Sequence, residues 1–172
     1  VLGVLREYQK AMGELIVEHG GTLEHFAGDG MLVFFNDPIL QEDHVARSVR
    51  MAVAMRARFG ALAAAWRRRG HQLGLGIGIA TGFATLGRIG FEGRYDYGMV
   101  GQAVIIASRL SSAAAADQIL LAPRVVAELG ELAEALELEP VGEIQLKGFS
   151  RPMTPHNVVG VRSTPAVLPS AS

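Results

Sequence analysis

The sequence predicts an α/β sandwich in which helices pack on a mostly antiparallel sheet. Segments with apolar residues at every second position, which is typical of strands, alternate with longer segments whose apolar residues recur every three or four positions, as in amphipathic helices. After an opening helix the predicted order is hairpin, helix, hairpin, helix, strand, which fits helices layered on one sheet. The 172 residues are 49% apolar, enough for one domain with its own core.

The first predicted elements are a helix and a hairpin. Residues 1–20 are predicted as a helix because five apolar side chains share one face: Leu5, Tyr8, Met12, Leu15 and Ile16. Strands Thr22–Ala27 and 31–35 follow, joined by Gly28, Asp29 and Gly30, since an Asp-Gly pair between apolar runs is a strong hairpin signal. Asp29 is therefore either a turn residue only, or a carboxylate held at a sheet edge for a divalent metal ion and a polyphosphate.

A long helix and a glycine-rich strand are predicted next. Residues 41–69 form the helix, and its expected buried stripe is Val45, Val49, Ala52, Phe59 and Trp66. Residues 73–79 alternate leucine or isoleucine with glycine, which predicts a strand with a very close neighbour on its glycine face. Residues 83–88 are predicted to pair with this strand as a second hairpin.

The remaining segments complete the predicted domain. We expect a polar loop at 90–101, a helix at 102–115, a strand at 118–121, a helix at 125–136, and strands at 139–146 and 156–161 around a turn at Lys147 and Gly148. With one strand missing at the front of the chain, this order is the ferredoxin-like arrangement. The domain is expected to span residues 1–162, with 163–172 as a flexible tail.

Composition excludes several classes of function. The chain has no cysteine, which excludes disulfides, zinc–thiolate sites and thiol nucleophiles, and its formal net charge of −1 gives no footprint for nucleic acid. No apolar run reaches the roughly 18 residues of a membrane span, so we expect a soluble, cytoplasmic domain. P-loop, zinc-protease and nucleophile-elbow motifs are absent, and the five histidines have no metal-ligand spacing.

Five stretches in order resemble one family. They are G-G-T-L-E-H-F-A-G-D-G-M-L-V-F-F from Gly20, G-I-G-I-A-T-G from Gly76, G-R-I-G-F-E-G-R-Y-D-Y from Gly87, V-G-Q-A-V-I-I-A-S-R-L from Val100, and L-K-G-F from Leu146. Together they resemble the catalytic domain of class III adenylate and guanylate cyclases, over residues 1 to about 161. The resemblance implies intramolecular attack of a ribose 3′ oxygen on the α-phosphorus of ATP or GTP, which releases pyrophosphate and gives a 3′,5′-cyclic nucleotide for intracellular signalling.

The resemblance also implies cofactors and a partner. In the family, two Mg²⁺ or Mn²⁺ ions held by two aspartates promote the reaction, and the site forms between two head-to-tail subunits. We therefore expect a homodimer or a heterodimer with another cyclase domain. Asp29 matches the second metal aspartate, with Gly28 beside it at the substrate. The first aspartate lies on the strand before the opening helix, which is outside this sequence.

Two basic residues match family positions, and each has a plainer alternative. Arg109 matches the arginine that stabilises the phosphate in the transition state, a task that suits a fixed and always charged guanidinium; otherwise it is a helix-surface arginine. Lys147 resembles the lysine near the phosphates, and the alternative is a solvated turn lysine.

Three positions depart from the family pattern. Ile105 stands where an asparagine is usual four residues before the arginine, and it cannot hydrogen-bond. His25 stands at the base-selecting lysine of adenylate cyclases, and Gly98 at its usual aspartate or threonine partner. Guanylate cyclases use glutamate and cysteine at these two places, so neither base-recognition pattern is met.

Three hypotheses follow. The chain is a working cyclase with an unusual base pocket, or a degenerate cyclase domain that binds nucleotide or a partner cyclase with little or no turnover; the three departures favour the degenerate form. Outside the family, a ferredoxin-like interaction module remains. A diguanylate cyclase is related in fold, but its G-G-D-E-F signature turn is absent.

Overall fold

The computed structural model describes residues 1–91 and 94–162, and the side chains of 87–91 and 94–99 lie outside this description, as does the predicted tail at 163–172. Its helices are α1 (Leu2–Glu18), α2 (His44–Arg68), α3 (Gln102–Ala113), α4 (Pro123–Ala127) and α5 (Leu132–Ala135). Its strands are β1 (Thr22–Ala27), β2 (Gly30–Phe34), β3 (Ile77–Ile79), β4 (Thr85–Phe91), β5 (Arg94–Val100), β6 (Ile119–Leu121), β7 (Leu136–Pro140) and β8 (His156–Val161).

The described strands form one four-stranded sheet and two hairpins. The sheet has the order β3-β6-β8-β7, in which β3 and β6 are parallel and the other pairs are antiparallel. The hairpins are β1-β2 and β4-β5. The predicted α/β fold, with helices on a mostly antiparallel sheet, is confirmed.

The first hairpin and the two long helices follow the predictions within a few residues. The expected buried stripe of α2 is confirmed, because all five of its residues are buried. On α1, Tyr8 meets Phe59 edge to face, and Phe59 meets Trp66 in the same way, so an aromatic chain joins α1 to α2. A second core cluster lies under β6, where Ile119 and Leu121 are fully buried.

The second predicted hairpin is wrong. β3 contains only Ile77–Ile79 and pairs in parallel with β6, whereas β4 pairs with β5. The predicted loop at 90–101 is therefore largely strand. The glycines and charged residues of this stretch interrupt the period-two apolar pattern that would have indicated strands. The two strands nevertheless pair residue by residue, from Thr85 opposite Val100 to Phe91 opposite Arg94.

The predictions for two later segments also need correction. The helix expected at 125–136 is instead two short helices. Gly130 lies between them with a φ of +63°, which a continuous helix cannot accommodate. The strand expected at 139–146 begins earlier, at Leu136, and ends at Pro140, which has no amide proton for a ladder bond. Beyond Pro140 one isolated bridge, between Ile144 and Met153, continues the pairing.

The glycines before and within β3 let α3 approach the strand backbone directly. A Cβ added at Gly78 would lie 2.7 Å from Leu110 Cβ and still closer to backbone atoms of Ala107 and Ser111. A Cβ at Gly74 would lie 2.5 Å from Ala116 Cβ. The close neighbour predicted for the glycine face is therefore α3 and the residues that follow it.

Candidate active site

Asp29 lies in the tight turn between β1 and β2. Ala27 and Gly30 are the last paired residues, Gly28 has a φ of +61°, and Asp29 is exposed. The pKa of the Tyr8 phenol on α1 is raised, first by burial and then by the negative charge of Asp29. The turn thus presents a carboxylate to solvent, and its negative charge disfavours ionisation of the buried phenol.

A cleft of about 440 Å³ begins beside this turn. One wall is β2, and the other is the segment from Gly74 to Gly82, which includes β3. The amide and carbonyl groups of the odd-numbered residues of β3 face β6; for example, the Ile77 amide donates to the Gln118 carbonyl. The amide and carbonyl groups of its even-numbered residues therefore face the opposite edge. Two strand edges therefore flank the cleft.

Ile105 and Arg109 lie one turn apart on α3, which places them on the same side of the helix. Ile105 is 46% exposed, and Arg109 is half-buried, with no hydrogen bond or ion pair to any residue that the structure describes. The residues of α3 that line the cleft belong to the adjacent side of the helix: Ala103, Val104, Ala107, Ser108 and Ser111. Within one chain, Arg109 and Asp29 therefore do not converge on this cleft.

His25 is on β1 and contacts its neighbour in sequence. Its Nδ1 lies 3.3 Å from Glu24 Oε1, and the His25 side chain is 53% exposed whereas that of Glu24 is 12% exposed. The pairing of β1 with β2 shifts register here, because Leu23 lies opposite Val33 but His25 lies opposite Leu32. Glu24 is the extra residue of this β-bulge.

The other two predicted substrate residues are farther along the chain. Gly98 lies on β5 opposite Gly87, and its surroundings beyond this backbone pairing lie outside the description. β1 and β5 approach each other, so the strands of His25 and Gly98 are neighbours. Lys147 is exposed in the segment between β7 and β8, after the buried Leu146 and before Gly148, whose φ is +90°.

The donor set fits part of a metal site. A turn carboxylate is a suitable ligand for Mg²⁺ or Mn²⁺. Among the side chains that the structure describes, however, no three histidine or acidic groups come together in a cluster that would hold a metal ion. Asp29 is therefore one suitable carboxylate, and the described residues do not complete a coordination sphere around it.

Glu24 and Tyr8 are the residues near these positions that the sequence patterns did not single out as functional. Tyr8 was expected only as a core residue of α1. Glu24 becomes noticeable only through the bulge, which depends on pairing with β2 and leaves no period in the sequence of β1.

The comparison with known proteins identifies the family. The model of the adenylate and guanylate cyclase catalytic domain family matches residues 1–160. The chain belongs to this family. It is 30% identical to adenylate cyclase 1 of Rhizobium meliloti (strain 1021), over 94% of this chain and 24% of that protein.

Solved cyclase structures share the fold. The adenylyl cyclase CyaB from P. aeruginosa superposes with a TM-score of 0.85 at 34% identity, covering 94% of this chain and 83% of that one. The guanylyl cyclase Cya2 also gives 0.85, at 33% identity and with 97% and 83% coverage. One of these two proteins is named an adenylyl cyclase and the other a guanylyl cyclase, so the two similarities do not distinguish ATP from GTP for this cyclase domain.

The cyclase domain spans about a quarter of the length of the R. meliloti relative. No described helix has both the length and the apolar character needed to cross a bilayer.

Proposed function

We propose that this cyclase domain converts ATP or GTP to the 3′,5′-cyclic nucleotide and pyrophosphate, with turnover that is impaired in this chain. The ribose 3′ oxygen attacks the α-phosphorus, the bond to the β-phosphate oxygen breaks, pyrophosphate leaves, and the hydroxyl proton goes to solvent. The observation that carries the proposal is the exposed turn carboxylate of Asp29 within a family match that covers residues 1–160.

The charged residues have distinct tasks in this proposal. Asp29 would hold one Mg²⁺ or Mn²⁺ ion, which supplies positive charge to the polyphosphate when it is bound. Arg109, which pairs with no described residue, offers its guanidinium to the α-phosphate as charge develops there. The exposed Lys147 would bind the outer phosphates as a point charge.

Ile105 is the reason to expect slow turnover. It is one turn from Arg109 and partly exposed, where a side-chain donor would reach the same phosphate or ribose group. An isoleucine offers no hydrogen bond, and the loss of one positioned donor in a transition state typically lowers kcat by about 10²–10³.

A second subunit would complete the site. Arg109 and Ile105 lie outside the cleft beside Asp29, so groups needed at one phosphate chain are on separate surfaces of this chain. A head-to-tail dimer, either of this chain or with another cyclase domain, would bring such surfaces together. Among the residues that the structure describes, no strand pairs with the edges of β2 and β3 that flank the cleft, so a strand that carries another metal aspartate would fit there.

The alternative is a degenerate cyclase domain that binds a nucleotide or a partner cyclase for dimerisation or regulation, without turnover. It is favoured by the combination of Ile105, His25 and Gly98, three departures from the family pattern on a scaffold whose glycine contacts, such as that of Gly78 with α3, are intact.

The test is cyclic nucleotide formation from ATP and from GTP with Mn²⁺, for this chain and for the full gene product, alongside sedimentation to measure dimerisation. If the wild type forms cyclic nucleotide and Asp29→Ala does not, while circular dichroism shows that the variant is folded, the result supports the proposed cyclase activity. Absence of product from both proteins, together with dimerisation or nucleotide binding, supports the degenerate module. Unfolding of Asp29→Ala would instead support a role for Asp29 in the turn alone.

A further inference from the structure

The β-bulge in β1 places Glu24 and His25 on one face of the hairpin. Leu23 lies opposite Val33, and Phe26 lies opposite Met31. Val33 and Met31 are two residues apart on β2, so their side chains share a face. Leu23 and Phe26 are three residues apart, whereas a regular strand would put them on opposite faces. The two residues between them must therefore both be directed to the other face.

This arrangement brings the carboxylate of Glu24 to the imidazole of His25. In a regular strand, adjacent side chains diverge, and the contact of 3.3 Å between Glu24 Oε1 and His25 Nδ1 would not form. Glu24 Oε2 is buried and has no hydrogen-bond partner among the residues that the structure describes. A buried acceptor without a partner is costly, and such groups in native structures call for an explanation.

We propose that Glu24 is a positioning residue for His25 and that the pair presents a hydrogen-bond acceptor to the purine base of the nucleotide. This inference rests on the proposed function, because the resemblance places His25 at the base-selecting position. The negative charge of the Glu24 carboxylate, an acceptor only, lies 3.3 Å from Nδ1 and so favours the neutral tautomer that carries its proton on Nδ1. His25 Nε2 then carries the free lone pair on a half-exposed side chain.

An acceptor at this position reverses the hydrogen-bonding role of the lysine that is usual there, which is a donor. A lysine ammonium can only donate, so it reads an acceptor such as adenine N1. The Nε2 lone pair of His25 instead requires an N–H donor on the Watson–Crick edge of the base. The N6 amino group of adenine and the N1–H of guanine both supply one, and purine riboside supplies neither although it keeps the N1 acceptor.

The first measurement is the tautomer of His25 in the purified chain, from ¹⁵N–¹H correlation spectra of the ring at mildly alkaline pH. We expect the proton on Nδ1 in the wild type and in Glu24→Gln, whose amide oxygen still accepts, and a shift to Nε2 in Glu24→Ala. Glu137→Ala, which removes another strand glutamate beside a register shift between β7 and β8, is the control and should leave the His25 spectrum unchanged. A wild-type ring protonated on Nε2 overturns the proposal.

The second measurement is calorimetric binding of ATP, GTP, purine riboside triphosphate and inorganic tripolyphosphate in the presence of Mn²⁺. We expect purine riboside triphosphate to bind about five- to tenfold more weakly than the tighter of ATP and GTP, the effect of one hydrogen bond. Glu24→Ala should reduce this ratio, Glu24→Gln should largely retain it, and neither should change tripolyphosphate binding. The comparison of ATP with GTP shows which base supplies the donor.

The two measurements separate the inference from the proposed function. Equal binding of ATP and purine riboside triphosphate, with GTP no tighter, overturns the acceptor role of His25 and leaves the cyclase proposal standing. If neither nucleotides nor tripolyphosphate bind to the wild type, the proposed function fails and the base contact is overturned with it, whereas the tautomer still decides whether Glu24 positions the ring.

Discussion

The indole Nε1 of Trp66 donates a 2.6 Å hydrogen bond to Glu7 Oε2, which joins the end of α2 to the start of α1. The same oxygen accepts from the Arg69 guanidinium at 2.8 Å. The hydrogen bond from Trp66, and to a smaller extent Arg69, lowers the pKa of Glu7. A polar clasp thus closes one end of the helix pair whose interior is the aromatic chain of Tyr8, Phe59 and Trp66.

This clasp predicts a loss of stability in acid. Because the pKa of Glu7 is lower in the folded state, its contribution is present above the unfolded value of about 4.3 and is lost as pH falls through the folded pKa. We expect Glu7→Gln to be less stable than wild type at neutral pH, and the difference to shrink in acid, measured by urea unfolding across that range. A difference that does not change with pH would show that the charge of Glu7 is not involved.

The approach of α3 to β3 predicts opposite effects for two glycine-to-alanine substitutions. Gly78→Ala would place a methyl group against the α3 backbone and Leu110, and we expect it to cost about 3 kcal/mol or more, or to prevent folding. Gly60→Ala lies within α2, where nothing lies within 4 Å of the added carbon, and should stabilise by about 0.5–1 kcal/mol. Thermal unfolding of both variants measures this. Equal effects would contradict the close packing at Gly78.

The negative charge of Asp29 acting on the Tyr8 phenol predicts a change at high pH. Because the pKa of Tyr8 is raised in the folded state, its contribution to stability is complete below the unfolded value of about 10 and is lost as pH rises through the folded pKa. Asp29→Asn removes the negative charge and should lower the pKa of Tyr8 only in part, because burial is the larger cause. Ultraviolet titration of tyrosinate, with Tyr8→Phe to assign the signal, measures the shift. An unchanged pKa would place the Asp29 carboxylate too far from the phenol to act on it.

Local patterns predicted the elements whose partners are near in sequence. The Asp-Gly pair at Asp29 and Gly30 located the first hairpin, and the three- and four-residue spacing located α1 and α2. The parallel pairing of β3 with β6 was missed, because it joins segments about 40 residues apart and nothing in the spacing of Ile77 and Ile79 specifies a partner.

The candidate site shows the same limit. The family resemblance placed Asp29, Arg109 and His25 by their neighbours in sequence. It did not reveal that Glu24 lies against His25, because the contact depends on one unpaired residue in the ladder between β1 and β2. It also did not show which side of α3 lines the cleft, which is decided by how closely the helix packs on Gly78.

The side chain at position 105 predicts a gain of activity. In Ile105→Asn the new amide lies one turn from Arg109, on the same side of α3, where it can donate to the charge that develops in the transition state. Since one such donor is typically worth about 10²–10³ in kcat, we expect a large rise in kcat for the favoured triphosphate with little change in KM. Cyclic nucleotide formation by the full gene product with Mn²⁺ measures it.

A matched control shows that polarity alone is not the cause of the rise. Val159→Asn changes an apolar residue of β8 that is 45% exposed, close to the 46% of Ile105, on a strand that carries none of the candidate site residues. It should leave kcat at the wild-type value. If Ile105→Asn gives no more product than this control, position 105 does not contact the reacting groups. If it gives more product only when Arg109 is present, the two side chains of α3 act on the same phosphate.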